Sequence, residues 1–324
     1  MHAYEHHRLA VNGITLSVYC AGPERGPVVW LLHGFPECWY SWRYQMRALA
    51  DAGYRVLVPE MRGYGQSSAP EPVDSYDLMT VCADLFAAMD SFGQRSVAVV
   101  GHDWGAPVAW HLALLDPQRV KAVAAMAVPF GGRPKRPAIE IIRSQAADRF
   151  HYILYFQQPG VAETELDRDV ARTLRTMMHN TSAAVPRDFF LQDKPAGSSL
   201  FEGLRDPGTP PEWCSADAFA VYLATFEGRG FRGALNWYRN FERNWARTAS
   251  LAGQRIEQPA LFLLGDKDPV GTLEAHTWQK MPTWVPDLEQ HVLADCGHWL
   301  QGERPEQVSR HLLDFLGRRY TPTL

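Results

Sequence analysis

The stretch Ser96-Val97-Ala98-Val99-Val100-Gly101-His102-Asp103-Trp104-Gly105 decides the fold. A short apolar, β-branched run reads as a buried strand, and Ala106-Pro107-Val108-Ala109-Trp110 opens a helix directly after it. Gly101 and Gly105 flank the sharp turn between them, where bulkier side chains would clash. The middle residue is lifted above the sheet, and here it is Asp103. The adjoining helix start favours a carboxylate there. An aspartate that only capped a helix would account for Asp103 but not for both glycines.

The same rhythm continues on either side. Residues 28–32, 55–58 and 120–126 read as further buried parallel strands, with helical patterns at 41–52, 78–92 and 105–115 between them. This spacing predicts an α/β architecture with a doubly wound, mostly parallel sheet. After Val128-Pro129-Phe130-Gly131-Gly132 the strand rhythm stops, and a long helical, aromatic-rich stretch follows, with Pro and Gly clusters near Lys194 to Pro211. Strand signals return at 259–264 and 291–293, and a closing helix is expected over about 305–316. The expected organisation is a core of residues 1–129 and 247–324, interrupted by a mainly helical cap over 130–246.

Composition removes several classes of function. With 46% hydrophobic and 21% charged residues and a net charge of −4, the chain is globular and offers no basic surface to nucleic acid. The N-terminal residues lack an apolar run of signal-peptide length, and no stretch reaches the ~18 apolar residues of a membrane span, so the expected location is the cytoplasm. Five cysteines without CxxC spacing point neither to a disulfide framework nor to zinc, and they read as reduced and structural. His2, His6 and His7 read as a solvated chain end with no metal. No cofactor or metal is expected, and the oligomeric state stays open.

Aspartate in the elbow selects the chemistry. Serine attack on a saturated carbon would leave a stable ether, whereas a carboxylate leaves an ester that water can cleave at the carboxyl carbon. Epoxides and haloalkanes are the leading electrophiles. In proteins built on such an elbow, an acid and then a histidine follow the nucleophile along the chain. Gly265-Asp266-Lys267-Asp268-Pro269-Val270 follows one late strand, and Asp295-Cys296-Gly297-His298-Trp299 follows the next. Asp268 is assigned as the orienting acid and His298 as the general base, with Asp266 as competitor for the acid and turn residue as its blander reading. His33-Gly34-Phe35-Pro36-Glu37 ends the first long buried strand, and the backbone N–H groups of Phe35 and Trp104 are candidates for an oxyanion hole.

These residues resemble the α/β-hydrolase-fold epoxide hydrolases, particularly the hydrolase domain of the mammalian-type soluble enzyme. Residues 33–37 look like the family's HGxP motif, Arg62-Gly63-Tyr64-Gly65-Gln66-Ser67 like its RGYGxS turn, 101–105 like its GHDWG elbow, and 296–299 like its histidine motif. No counterpart of the mammalian phosphatase domain is expected. Within the cap, His151-Tyr152-Ile153-Leu154-Tyr155-Phe156-Gln157-Gln158-Pro159-Gly160 and Asn236-Trp237-Tyr238-Arg239-Asn240 resemble the segments that carry the family's ring-opening tyrosines. The resemblance implies that Tyr152 and Tyr238 donate to the epoxide oxygen, with Tyr155 as the fallback for Tyr152. The implied substrate is a small hydrophobic epoxide, with water as the second reactant. Phe156, Pro36, Val270 and Trp299 are candidates to line its pocket.

Two other readings compete. Haloalkane dehalogenases also place Trp after the nucleophile, but commonly hold the halide with an Asn at the position of Phe35, which has no side-chain donor. Fluoroacetate dehalogenases usually have Arg where this chain has Trp104. A binding protein that holds a hydrophobic ligand without turnover would be expected to have a broken catalytic set.

Overall fold

The computed structural model describes residues 4–320 and 322. Eight strands form one sheet in the order β1-β2-β4-β3-β5-β6-β7-β8. They are β1 Glu5–Val11, β2 Ile14–Ala21, β3 Val28–Leu32, β4 Arg55–Glu60, β5 Val97–His102, β6 Val120–Met126, β7 Ala260–Gly265 and β8 Leu288–Leu293. Strands β3 to β8 run parallel to their sheet neighbours among themselves, while β1 pairs antiparallel with β2, and β2 antiparallel with β4.

The buried strands take their form from two-faced apolar sequence. In β5, Val97 and Val99 join the apolar cluster on one face, and Ala98 and Val100 the cluster on the other. Both faces must therefore be covered. Helix α1 (Arg43–Asp51) covers one face with Met46 and Leu49; α2 (Leu78–Ser91) and α3 (Gly105–Leu115) cover the other with Leu85, Val108 and Leu112. Asp77 accepts a hydrogen bond from the Thr80 N–H and so starts α2.

Between β6 and β7 the chain contributes no strand to the sheet. It forms helices α4 Ala138–Ala146, α5 Tyr152–Tyr155, α6 Val161–Leu166, α7 Val170–Asn180, α8 Ala216–Phe226, α9 Arg232–Tyr238 and α10 Phe241–Arg247. Helices α11 Val270–Leu273 and α12 Ala275–Trp284 follow β7. After β8 come α13 Leu300–Glu303 and α14 Pro305–Arg319, whose Leu312 and Phe315 pack on the α1 side of the sheet.

The β1–β2 hairpin is the part of the sheet that the strand rhythm did not anticipate. Its two-residue turn is Asn12-Gly13, both at positive φ (44° and 77°), between the paired residues Val11 and Ile14. That conformation matches the twist of the strands it joins. His6 and His7 lie in the strand β1, His6 exposed yet hydrogen-bonding Ser17 Oγ at 2.9 Å and stacking on Tyr19; His2 lies outside the described residues. The helical pattern at 41–52 divides into a 3-10 turn, Trp39–Trp42, and α1. The five cysteines are free and buried, and among the described residues no helix is long and apolar enough to cross a membrane.

The turn after β4 anchors the helical segment. Arg62 grips buried Asp84 of α2 with Nε to Oδ2 at 2.7 Å and a terminal nitrogen to Oδ1 at 2.6 Å, and the Asn12 amide adds a third bond at 2.7 Å. The Arg62 carbonyl accepts the Trp237 indole N–H at 3.0 Å, which ties α9 to the same turn. Arg62→Ala leaves a buried carboxylate without its cation, so a loss of roughly 3–5 kcal/mol is expected. Urea unfolding monitored by circular dichroism measures it; a loss under 1 kcal/mol would remove this pair from the determinants of stability.

Candidate active site

Four side chains meet above the carboxyl ends of the parallel strands, where α/β sheets place their ligands. Phe35 follows β3, Asp103 follows β5, Asp268 follows β7 and His298 follows β8. At Asp103 the backbone turns to φ 49°, a conformation that costs a non-glycine residue free energy. A Cβ on Gly101 would press into the Gly105 carbonyl, and one on Gly105 into the Leu32 carbonyl. Both glycines are therefore required by close backbone approach.

The Phe35 N–H donates to Asp103 Oδ1 at 2.7 Å, and the Phe35–Pro36 peptide is cis. His298 Nδ1 lies 3.0 and 3.2 Å from the two Asp268 oxygens, and its Nε2 faces Asp103 Oδ2 at 3.6 Å, ion-pair rather than hydrogen-bond range. Asp268 is fully buried and also accepts the Val270 N–H at 2.9 Å. Asp266 instead accepts the Cys296 N–H at 3.0 Å and serves the turn. Burial alone would lower the His298 pKa, but the Asp268 and Asp103 carboxylates outweigh it and hold the pKa well above the usual imidazole value.

A cavity opens over these groups. Asp103, His298, Phe35, Tyr152 and Tyr238 line it, with Trp299, Pro269, Val270 and Leu273 from the sheet side and Met177, Thr181, Phe190 and Leu191 from the helical segment. Burial first, and the nearby Asp103 carboxylate second, raise the pKa of both tyrosines far above the usual phenol value, so both stay protonated. Their rings sit 6.2 Å apart at 77°. The Trp104 indole packs edge-on against the Tyr238 ring at 5.1 Å.

Other expected positions fall elsewhere. Tyr155 donates its hydroxyl to Glu165 at 2.7 Å and does not line the cavity. Phe156 and Pro36 are also absent from the lining. Phe156 is fully buried behind the site, its ring 5.0 Å from Tyr238 and 5.8 Å from Phe35, so it supports those side chains from the back. Val270 and Trp299 do line the cavity. Trp237 and Phe226 build the packing between helical segment and sheet, against Tyr64.

A second, fully buried layer was invisible to motif reading. Glu37 Oε2 meets His102 Nδ1 at 2.7 Å and accepts the Gly34 N–H at 3.1 Å, while His102 Nε2 donates to the His298 carbonyl at 2.7 Å. Gln301 completes it with a 2.5 Å bond to Glu37 Oε1. Burial works against ionisation of Glu37, but His102 and the Gly34 N–H overcome it and keep the pKa low. Burial pushes the His33 pKa down to about 4, and its neutral ring accepts the Met61 N–H at 3.0 Å.

Known proteins share the fold and much of the sequence. A family profile described as the alpha/beta hydrolase fold matches residues 27–305. Epoxide hydrolase A of Mycobacterium tuberculosis is 45% identical over 307 residues, 94% of this chain and 95% of the relative. Bifunctional epoxide hydrolase 2 of Sus scrofa is 39% identical over 90% of this chain, which spans 51% of that protein's length. The crystal structure of epoxide hydrolase A from Mycobacterium thermoresistibile superposes with a TM-score of 0.92 at 42% identity, covering 99% of this chain and 100% of that one. An epoxide hydrolase from an endophytic Streptomyces superposes at 0.93 with 37% identity, covering 98% and 96%. By fold, by sequence and by solved structure, the chain belongs to the α/β-hydrolase-fold epoxide hydrolases.

Proposed function

We propose that this protein converts small hydrophobic epoxides to vicinal diols through a hydroxyalkyl ester on Asp103, with residues 130–246 as a cap over a core of 1–129 and 247–324. The observation that carries the reading is that Asp103 and two protonated tyrosines, Tyr152 and Tyr238, share one apolar cavity. A carboxylate supplies the nucleophile, and phenols supply hydrogen-bond donors for a poor alkoxide leaving group.

In this reading Asp103 attacks one ring carbon, and the ring oxygen takes a proton from a tyrosine. The tyrosine is reprotonated at the expense of the His298 imidazolium. Esterification removes the Asp103 charge 3.6 Å from His298, so the imidazole pKa falls and the ring becomes a base. Neutral His298, oriented by Asp268, then takes a proton from water as it adds to the Asp103 carboxyl carbon. In this reading the Phe35 N–H, already on Asp103 Oδ1, and the Trp104 N–H stabilise the resulting oxyanion. Collapse passes the carboxylic proton to the departing alkoxide, restoring the Asp103 carboxylate and the His298 imidazolium. No step draws on a cofactor or metal.

Phe35 lends no side-chain donor to a halide, which disfavours the dehalogenase reading. Diol release from styrene oxide, with chloride release from chloroalkanes as control, distinguishes the two; turnover of neither would support a binding protein. Single-turnover hydrolysis in ¹⁸O-water should place label in Asp103 and none in the first diol. Label in that diol would eliminate the ester route. His298→Gln should accumulate ester detectable by mass spectrometry, and Tyr152→Phe should slow ring opening by ~10²-fold.

The charge coupling is measurable in the resting protein. Asp103→Asn should lower the His298 pKa, followed by NMR titration of the imidazole; an unchanged value would break the proposed switch. Because the folded pKa lies above the unfolded value of about 6.5, the contribution to stability is complete below that pH and is lost as pH rises through the folded pKa.

A further inference from the structure

The backbone around His298 is fastened on every side, and one side chain supplies two of the fastenings. Glu303, the last residue of α13, accepts the Gly297 N–H on Oε2 at 3.1 Å and the Trp299 N–H on Oε1 at 3.0 Å. Its Oε2 also accepts the N–H of Ala183 at 2.8 Å, from the helical segment. His298 itself donates its N–H to the Thr181 carbonyl at 2.8 Å. Thr181 and Trp299 both line the cavity.

Gly297 brings the two chain segments into direct contact. A Cβ there would press into the backbone of Ser182 and Ala183, so only glycine permits the approach. The carboxylate of Glu303 therefore joins three N–H groups that would otherwise face one another without an acceptor. Burial raises the Glu303 pKa, and the three N–H groups act against that rise.

We infer that Glu303 is a positioning residue for ester hydrolysis: it fixes the imidazole of His298 relative to Asp103 and locks that turn to residues 181–183. The inference rests on His298 acting as the base in the second step. Glu303 touches neither the reacting atoms nor the cavity, so it acts only through the residues on either side of His298. Gln in its place keeps one oxygen but sets an NH₂ group against at least one backbone N–H. The imidazole then loses its fixed distance to Asp103, a kind of misplacement that costs up to ~10²-fold in rate.

The test is single-turnover kinetics with styrene oxide on the wild type, Glu303→Gln, Glu303→Asp and His298→Gln, reading ester formation and ester decay separately by rapid quench and mass spectrometry. In Glu303→Gln, ester decay should slow by about 10- to 100-fold. Ester formation should stay within about twofold, and the adduct should accumulate. Glu303→Asp, which keeps the carboxylate, should show a smaller loss in the same step. Unchanged decay overturns the inference. Equal slowing of both steps alongside a fall in thermal midpoint assigns Glu303 to structure alone and also overturns it, as does failure of both variants to fold. If His298→Gln itself accumulates no ester, the covalent reading fails, and the Glu303 inference falls with it for that distinct reason.

Discussion

The close approach of three backbone segments at the elbow is the constraint on which the site depends. With Gly105 pressed against the Leu32 carbonyl of β3 and Gly101 against Gly105 itself, α3 must start almost on top of the sheet. Asp103 is left no conformation but a left-handed one, and its side chain rises between the Phe35 N–H and His298. A non-glycine residue there costs of order 1–3 kcal/mol, which the packing of β5 and α3 in the centre of the sheet must offset. The strain has a result that packing alone would not require: a carboxylate presented to an apolar cavity at the positive end of a helix.

That placement governs the charges around it. Asp268 is fully buried, so it depends on the His298 ring and the Val270 N–H to remain paired. His298 in turn stands between two carboxylates, one permanently charged in the proposed cycle and one whose charge disappears on esterification. In a largely buried site, the loss of a neighbouring charge at 3.6 Å changes the basicity of an imidazole more than it would in water. In the proposed cycle the protein would need no moving part to make His298 an acid partner before ring opening and a base after it. The rigid backbone ties around the histidine, from Thr181, His102 and Glu303, fit a mechanism in which charge changes and geometry does not.

What could be read from the sequence was whatever is local along the chain. The elbow is legible because strand, glycines, nucleophile and helix fall within a few residues, and the acid and histidine because they follow strands in a fixed order. The β1–β2 hairpin had an equally local signal in Asn12-Gly13 between alternating residues, yet the antiparallel entry differs from the parallel rhythm that guided the reading. The Glu37–His102 pair and the Gln301 contact join residues 65 and 264 positions apart, and no periodicity carries such information. Phe156 shows the limit for aromatic residues: composition places it in the apolar part of the helical segment, but only packing decides that it backs Tyr238 and does not face the cavity.

The two tyrosines are held by unequal means. Tyr238 ends α9, and α9 is moored to the sheet through the Trp237 indole on the Arg62 carbonyl and through Arg232 on the carbonyls of Pro70 and Glu71. Its own ring lies against Phe35, Trp104 and Phe156, so its position is referred directly to the elbow. Tyr152 begins a four-residue helix whose first turn is capped by the His151 imidazole, and its ring stacks on that same side chain. The Arg62 turn, Trp237 and Tyr238 therefore form one mechanical unit with Asp103, whereas Tyr152 takes its position from the helical segment itself. In the proposed reaction, a substrate oxygen held between the two hydroxyls would be located by Tyr238 relative to the nucleophile and by Tyr152 relative to the roof of the cavity, which would make the spacing between sheet and helical segment a determinant of attack geometry.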